Sequence, residues 1–510
     1  MSLVVPGLAF VVALAGLPRW LRVAQREHYL AGRASWAWQL WLSRSRASLG
    51  LAALTAVLLL AGIGADLSGA SSAATILLLA AAVVLAQVVP LGLPYRGRTS
   101  PLRWTPRARR IAALSAALLL LGALGGVVVA AVVSVLLPVV VDLALLLLGP
   151  VETRLSRKYV VQARERMQRV RPTVIAITGS YGKTTTKQYL AHLLTQSHAT
   201  LATPASFNNA MGLSRAVNEG LVPGTEVFVA EMGTYGPGEI RALCEVFPPD
   251  IAVLTAIGEM HLERMKDRAG VLAAKSEITQ GARAVVVNAD DDLLRGLAQE
   301  CTSRGQQVIC CSVTDRSADV AIVDAHLYAA GADLGAVRLP ESVHPSNVAC
   351  AVGAAVALGD DPSALLVRLA SLPSVAHRLE PVELPNGSWI LDDTYNSNPA
   401  GAREAVRRAV ALGARTQGNV HVVTPGMVEL GSVQAERNAE LARDVADSGV
   451  STLVVVGRTN APALHRGVSG GGSTQVLGCA TREGAVALLE TRTRAGDVVL
   501  FENDLPDHYP

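Results

Sequence analysis

Apolar residues dominate the first third of the chain and alternate with polar segments in the rest. Apolar runs of spanning or near-spanning length occupy residues 3–18, 48–65 and 71–93, and residues 111–149 are almost unbroken Ala, Leu and Val. As one helix the last run would be about 58 Å long, against a hydrocarbon core of about 30 Å. It therefore predicts a helical hairpin, with Gly125 and Gly126 as candidate turn residues.

Charged residues orient these runs. Arginines cluster after the first run, at residues 19–46, and after the third, at residues 96–110. Short basic loops stay in the cytoplasm, so the pattern predicts five spans over residues 1–150 with the N-terminus outside. A cleaved signal peptide is disfavoured because the basic residues follow the first apolar run instead of preceding it. Asp142, inside the last run, is either a site residue or a side chain that reaches the headgroups.

Tryptophans accompany the basic loops. Trp36, Trp38 and Trp41 lie close together, as in a helix on the membrane surface. Residues 151–172 then read as a basic amphipathic connector helix. The protein is expected in the cytoplasmic (inner) membrane as a multi-pass protein, with its catalytic domains in the cytoplasm and the lipid bilayer as a partner.

From residue 173 onward, short β-branched runs alternate with helical segments, which predicts α/β structure. The expected fold class is an α-helical transmembrane region followed by a central P-loop mononucleotide-binding domain, residues 173–375, and a C-terminal Rossmann-like α/β domain, residues 376–510. Six cysteines show no C-x-x-C pair and read as reduced cytosolic thiols.

Composition agrees with a membrane protein. Half of the residues are hydrophobic (50%), 17% are charged, and the mean hydropathy is +0.35. The formal net charge is only +3 and the basic residues flank the apolar runs. Anionic lipid headgroups therefore explain them better than nucleic acid does, and no nucleic-acid partner is expected.

The segment TVIAITGSYGKTTT, residues 173–186, predicts a phosphate-binding loop. A buried strand ends at a glycine turn, and Lys183 brings a positive charge to the first turn of a helix. The unpaired amides of that helix would face the phosphates, and a threonine hydroxyl could reach Mg²⁺. The spacing differs from G-x-x-x-x-G-K-[ST], because Ile177 stands where that pattern has its first glycine. The loop is therefore a tighter variant. The candidate nucleotide-binding residues here are Gly179, Ser180, Gly182, Lys183, Thr184 and Thr185.

An acidic residue follows the strand predicted at 226–230. Glu231 lies at the carboxyl end of that strand, the edge at which open α/β sheets bind ligands. An acid beside a phosphate loop is placed to hold Mg²⁺ directly or through water. The sequence thus predicts a phosphate-bearing ligand and Mg²⁺ at this edge of the sheet.

Several further segments, taken in order, resemble the Mur ligases, which use ATP to form amide bonds in peptidoglycan precursors. They are ITGSYGKTTTK, TPASFNNAMGL, EMG, the segment from His261 to Lys275, NADD, HRLE, DDTYNSNP and GMVELG, within residues 173–505. FNN and DDTYNSNP resemble the type that adds D-alanyl-D-alanine. The resemblance implies a reaction in which ATP phosphorylates a carboxylate, an amine attacks the acyl phosphate, and ADP and phosphate leave.

The resemblance also assigns roles by position. Lys183, His261 and Lys275 would be catalytic, with Thr184, Glu231, His261 and Lys275 as metal ligands and Lys275 carbamylated. Asn208 and Asn209 would lie near the substrate. The remaining nucleotide contacts implied are Asn288, Arg378, Asp392, Tyr395, Asn396 and Asn398.

Two departures from the family bear on substrate. The amino-terminal domain that grips a uridine diphosphate substrate is replaced by the apolar runs, and ENDLPD, residues 502–507, replaces the Lys-Gly-Ser-Arg pattern. A lipid-linked or polymeric acceptor is therefore expected, with the soluble muramoyl peptide and a poly-γ-glutamate-type amide polymer as alternatives. An ATP-driven transporter is the alternative from another class.

Overall fold

The computed structural model describes the chain except residues 1–3, 70–71, 98–100, 206, 341–342, 374–380, 395–396, 470–472 and 506–507. The chain forms two compact units. One contains residues 1–155, 457–462 and 505–510, and the other contains residues 156–456 and 463–504. The boundary expected near residue 375 falls outside the described residues.

The first unit is helical. Its helices are α1 (Val4–Arg26), α2 (Arg33–Arg44), α3 (Arg46–Leu67), α4 (Ser72–Val88), α5 (Pro106–Leu124), α6 (Val127–Val135) and the start of α7 (Leu137–Val170). The hairpin turn lies at Gly125 and Gly126, as predicted, with Gly126 at φ +98°. The predicted connector is not a separate helix, because residues 151–170 continue α7 from Leu137 without a break.

Fewer helices can span a membrane than the apolar runs predict. Among the described residues, α1 and α3 are long and apolar enough, and α6 with α7 would add a third if that pair counts as one broken span. The two are bent by 81°, and α6 has nine residues, too short for a core of about 30 Å. The structure thus supports two or three such helices, not five.

Asp142 caps a neighbouring helix. Its carboxylate accepts hydrogen bonds from the backbone N–H groups of Ala34, at 3.2 Å, and Ser35, at 2.8 Å. These are orphan donors in the first turn of α2, and a carboxylate at that end also meets the positive end of the helix dipole. Asp142 is therefore a structural cap from a distant helix.

The last residues of the chain belong to the helical unit. The indole N–H of Trp41 donates to the carbonyl of His508 at 2.8 Å, and His508 Nε2 lies 2.8 Å from Glu27 Oε1. Tyr509 packs edge-on against Trp36, with ring centroids 5.9 Å apart. The backbone N–H and the hydroxyl of Thr459 both donate to the Pro510 carbonyl. Two of the predicted interfacial tryptophans thus hold the C-terminal tail.

The second unit contains two sheets. In the central domain the strands are β1 (Thr173–Thr178), β2 (Thr200–Ala202), β3 (Val227–Glu231), β4 (Ile251–Leu254), β5 (Ala284–Asn288), β6 (Gln307–Ser312), β7 (Val320–Val323), β8 (His326–Ala329) and β9 (Ala332–Ala336). The helices are α8 (Lys183–Leu194), α9 (Ala210–Gly220), α10 (Glu239–Val246), α11 (Leu262–Met265), α12 (Arg268–Ser276), α13 (Asp292–Ser303), α14 (Pro345–Leu358) and α15 (Pro362–Leu369).

The central sheet has β1 in its interior. Its strand order is β2-β3-β1-β4-β5-β6-β7-β8-β9, parallel from β2 to β7 and antiparallel thereafter. Alternate residues of β1 enter different cores, Ile175 and Ile177 on one face and Val174 and Ala176 on the other. Burial on both faces explains the unbroken apolar run, and it fixes the carboxyl edge of β1, where the phosphate loop begins.

The C-terminal domain carries the second sheet. Its strands are β10 (Pro381–Glu383), β11 (Trp389–Asp393), β12 (Val420–Thr424), β13 (Thr452–Val456), β14 (Gln475–Cys479) and β15 (Val498–Glu502), in the order β10-β11-β15-β12-β13-β14. The sheet is parallel except for β10. The helices are α16 (Pro399–Thr416), α17 (Gln434–Asp447), α18 (Ala461–Val468) and α19 (Arg482–Glu490).

Candidate active site

The phosphate loop is packed so tightly that a Cβ at two of its glycines would overlap a neighbouring side-chain oxygen. A Cβ on Gly179 would lie 2.0 Å from Thr255 Oγ1, and one on Gly182 would lie 2.3 Å from Asn347 Oδ1. Gly182 also has φ +83°, a conformation that L side chains rarely adopt. The neighbouring side chains of Thr255 and Asn347 thus explain the glycines, together with the need for open backbone amides.

Lys183 folds back over this loop. Its ammonium donates to the carbonyls of Gly179, at 2.6 Å, and Ser180, at 3.3 Å. Because α8 begins at Lys183, the amine lies beside the unpaired N–H groups of a helix N-terminus. Thr184 follows in the same first turn, half-buried, and Thr185 is buried behind it. A positive charge and the first amides of α8 therefore lie together at the carboxyl end of β1, the combination that binds phosphate.

Adjacent strands brace the loop. The Ser180 hydroxyl donates to the Gly258 carbonyl at 3.2 Å, and the Gly258 N–H donates back to that hydroxyl at 2.9 Å. The Asn288 amide donates to the Thr255 carbonyl at 3.1 Å. Ser180 and Asn288, both predicted nucleotide contacts, thus hold the loop and the end of β4 in place.

Glu231 has a partner that the sequence pattern does not reveal. The ammonium of Lys187 lies 3.1 Å from Glu231 Oε2, and the Asn208 amide donates to Glu231 Oε1 at 3.4 Å. Lys187 also donates to the Ala205 carbonyl. The predicted metal ligand and one predicted substrate residue therefore lie together, whereas Asn209 caps α9 by accepting from the Gly212 N–H at 2.9 Å.

Lys275 is buried near the loop. Its side chain is 3% exposed, and burial, with a smaller effect from the Lys183 charge, holds the pKa of its amine well below the usual value. Within the described part of the chain no carboxylate forms an ion pair with it. This shift favours the neutral amine, which is the form that acts as a nucleophile.

His261 faces the C-terminal domain. Its Nδ1 lies 2.5 Å from Glu429 Oε2, and the Tyr235 ring packs edge-on against the imidazole, with centroids 4.9 Å apart. Two residues earlier, Glu259 receives two hydrogen bonds from the guanidinium of Arg437, at 2.6 and 2.8 Å. Both Glu429 and Arg437 come from the C-terminal domain, so that domain holds the segment that carries His261.

The C-terminal part of the predicted site is only partly described, since Arg378, Tyr395 and Asn396 lie outside the described residues. Asp392 Oδ1 accepts from the backbone N–H of Thr394 at 3.1 Å and from its hydroxyl at 2.6 Å. Asn398 is buried and caps α16 through the Gly401 N–H at 2.9 Å. Asp392 thus makes a turn contact, and Asn398 makes a helix-cap contact.

Glu502 is a buried acid that the sequence analysis did not single out as a site residue. It ends β15, is fully buried, and accepts hydrogen bonds from the hydroxyls of Ser397 and Thr424. Burial raises its pKa to about 7, and the nearby charge of Asp393 acts in the same direction. A carboxyl group that can hold a proton near neutral pH thus lies at the carboxyl edge of the second sheet.

The residues present fit a nucleotide with Mg²⁺. The cradle at Gly179 and Gly182, the ammonium of Lys183 and the start of α8 suit phosphate oxygens. Among the described residues no group of three His, Cys, Asp or Glu side chains forms a metal cage. Mg²⁺ does not need one, because beside a nucleotide it takes one or two protein oxygens, phosphate oxygens and water.

Comparisons with known proteins agree with this geometry. Residues 177–351 match the Mur ligase middle domain, and residues 377–502 match the Mur ligase glutamate ligase domain. The UDP-N-acetylmuramoyl-tripeptide--D-alanyl-D-alanine ligase of Mycobacterium tuberculosis is 30% identical over 364 residues, which cover 65% of this chain and 70% of that protein.

Solved structures give the same result. The chain superposes on MurF ligase of Thermotoga maritima, solved in complex with ADP, with a TM-score of 0.59 and 28% identity, covering 68% of this chain and 80% of that one. For MurF of Acinetobacter baumannii the TM-score is 0.57 and the identity 25%, with coverage of 68% and 77%.

Proposed function

Because the chain belongs to the Mur ligase family and is an ATP-dependent amide ligase similar to MurF, we propose that it makes its amide bond at a membrane surface. In the proposed reaction a substrate carboxylate takes the terminal phosphoryl group of ATP, which forms an acyl phosphate and ADP. A neutral amine then attacks the acyl carbon, and phosphate leaves. The proton that the amine nitrogen loses passes to solvent. The observation that carries the ATP-dependent step is the glycine cradle closed over by Lys183.

The side chains would divide the work by position. Lys183 and the first amides of α8 would bind and orient the phosphates, and Asn208, which donates a hydrogen bond to Glu231, would contact the substrate. Thr184, Glu231, His261 and a carbamylated Lys275 would hold Mg²⁺, whose charge offsets that of the transferring phosphoryl group. Arg378, Asp392, Tyr395, Asn396 and Asn398 would contact the nucleotide from the C-terminal domain.

The reaction can be tested on the purified full-length protein in detergent. With ATP and Mg²⁺, ADP and phosphate should appear only when a carboxylate substrate and an amine are both present. Lys183→Ala should lower the rate by roughly 100-fold or more, because it removes a charge aimed at the phosphoryl group. Lys158→Ala, an exposed lysine in α7, is the control. Equal hydrolysis of ATP without an amine would count against a ligase.

For the acceptor we propose a membrane-associated, lipid-linked or polymeric molecule of the cell envelope. Two apolar helices precede the catalytic domains, and an enzyme held at the bilayer meets lipid-linked acceptors at high effective concentration. A soluble nucleotide-linked peptide gains nothing from that anchor. The full-length protein in lipid nanodiscs should therefore use a lipid-linked peptide at least about tenfold better than the same peptide on a soluble uridine nucleotide. Equal efficiencies would contradict the proposal.

The alternatives have less support. A transporter would need a set of spans around a path, and two or three candidate spans are found among the described residues. A flux assay in vesicles, with wild type and Lys183→Ala, separates that function from ligation. A poly-γ-glutamate-type ligase would differ from the proposal only in its substrates. The nanodisc experiment, repeated with glutamate as the amine, distinguishes the two, because such a ligase would use glutamate.

A further inference from the structure

Two residues with left-handed backbone conformations contact each other between the two domains of the second unit, one from the central domain and one from the C-terminal domain. His261 has φ +56° and Glu429 has φ +63°, and neither is glycine. Backbone of this kind costs about 1–3 kcal/mol per residue and persists where the surroundings require it. Here it brings His261 Nδ1 to 2.5 Å from Glu429 Oε2.

A second contact holds the same segment from the other side. Arg437 binds Glu259 through Nε and Nη2, and its Nη1 donates to both carboxylate oxygens of Glu440 at 2.8 Å. Glu440 keeps the guanidinium in place, so the contact with Glu259 is an oriented, two-bond pair. The C-terminal domain therefore contacts both ends of the segment 259–261 through side-chain hydrogen bonds.

The chemistry of the pair follows from the two nitrogens of imidazole. A neutral histidine that donates Nδ1–H to a carboxylate leaves the lone pair of Nε2 free for a cation. Metal-binding histidines commonly have such a carboxylate partner, which fixes the tautomer and ring orientation and raises basicity. The edge contact with Tyr235 limits rotation of the ring further.

We propose that Glu429 is a positioning residue for His261, supplied by the C-terminal domain to complete a cation site on the central domain. This rests on the proposed function, in which His261 holds Mg²⁺. The site then reaches full affinity only while the C-terminal domain is seated on residues 259–261. Binding of the metal is thus coupled to the contact between the C-terminal domain and residues 259–261. Because of this coupling, phosphoryl transfer does not begin until both domains are in place.

The test measures Mn²⁺ in place of Mg²⁺, by electron paramagnetic resonance on the full-length protein with a non-hydrolysable ATP analogue. Glu429→Gln should weaken Mn²⁺ binding about 10- to 100-fold. Glu436→Gln makes the same charge change at an exposed position in the first turn of α17 and should have no effect. Arg437→Met removes the second contact while His261 and Glu429 stay, and it should weaken Mn²⁺ binding as well.

The decisive comparison repeats Glu429→Gln in a His261→Gln protein. If Glu429 acts through His261, the second substitution adds no further loss of Mn²⁺ affinity. An equal loss in both backgrounds would overturn the proposal, and so would unchanged binding. Tighter binding in Glu429→Gln would show instead that Glu429 competes with the cation for His261. Failure of the proposed function is seen separately, as wild-type protein that releases no ADP in response to an amine.

Discussion

The ammonium of Lys187 lies 3.1 Å from the carboxylate of Glu231, and the two side chains are 2% and 1% exposed. The acid predicted to hold Mg²⁺ therefore already has a buried cation beside it. A buried pair is sensitive to loss of one partner, because the remaining charge has neither water nor a counter-ion. In the absence of a ligand, each charge of this pair is therefore balanced by the other.

Lys187→Met should therefore lower the free energy of unfolding by about 3–5 kcal/mol. Adding Glu231→Gln to the same protein should restore most of that loss, since it removes the unpaired charge. The control is Arg215→Met, which breaks an exposed pair with Glu219 and should cost less than about 1 kcal/mol. Denaturant unfolding of the three proteins in detergent gives the comparison. Equal effects of Lys187→Met and Arg215→Met would contradict it.

Gly182 and Gly281 form a matched pair for a test of the phosphate loop. Both have φ +83°, but a Cβ on Gly281 would meet open space. Gly281→Ala should lower the free energy of unfolding by about 1–2 kcal/mol, because a residue with a Cβ is strained in the left-handed backbone conformation. Gly182→Ala should cost more and should lose binding of an ATP analogue, because its Cβ would meet Asn347. Titration calorimetry measures the binding, and adding Asn347→Ala should recover part of the stability.

Lys275 should be carbamylated in the active enzyme. Burial and the charge of Lys183 lower the pKa of its amine, so the neutral form that reacts with carbon dioxide is available. Lys275→Ala should lose roughly 100-fold or more in rate and recover with added short carboxylic acids, which replace the carbamate oxygens. The amine-dependent ADP assay measures this. Activity of Lys275→Ala comparable with wild type at low Mg²⁺ would exclude the role.

Glu502 predicts a specific pH dependence of stability. Its pKa rises from 4.5 to about 7 in the folded protein, so the folded state binds the extra proton between those values. The stability that the protonated Glu502 carboxyl group contributes is fully present below pH 4.5 and is lost as the pH rises through about 7. Above that range the buried charge costs about 3 kcal/mol.

Glu502→Gln should therefore stabilise the protein at pH 8 to 9 and leave it nearly unchanged near pH 4.5. Unfolding curves at several pH values measure the difference from wild type. Glu383→Gln, at an exposed position in β10, should change stability little at any pH. A Glu502→Gln effect that does not vary with pH would show that the carboxyl group does not titrate there.

Much of the catalytic fold follows from local pattern. The strand predicted at 226–230 is found at Val227–Glu231, and the buried strand predicted before the phosphate loop is found at Thr173–Thr178, because burial on both faces of a parallel sheet leaves apolar runs. The α/β fold and the ligase family are confirmed. The roles assigned to single residues stay predictions.

Contacts between distant parts of the chain were not predictable in this way. Lys187 reads as an ordinary helix residue, and only folding brings it to Glu231, 44 positions away. The same holds for Glu429, which is 168 positions from His261. Apolar composition likewise predicts exclusion from water but not where a helix ends, so it predicted neither the 81° bend between α6 and α7 nor the short length of α4, which has 17 residues.

The tail that packs on the helical unit bears on the order of events during synthesis. That unit contains residues 1–155 and also residues 505–510, which are made long after the helices. While the ribosome is still translating, Trp41 and Glu27 have no access to His508, because it has not yet been made. That surface of the helices therefore stays incomplete until residues 505–510 have been made. A stop codon at residue 505 would leave the catalytic domains whole, but the helical unit, although made first, would lack part of its structure.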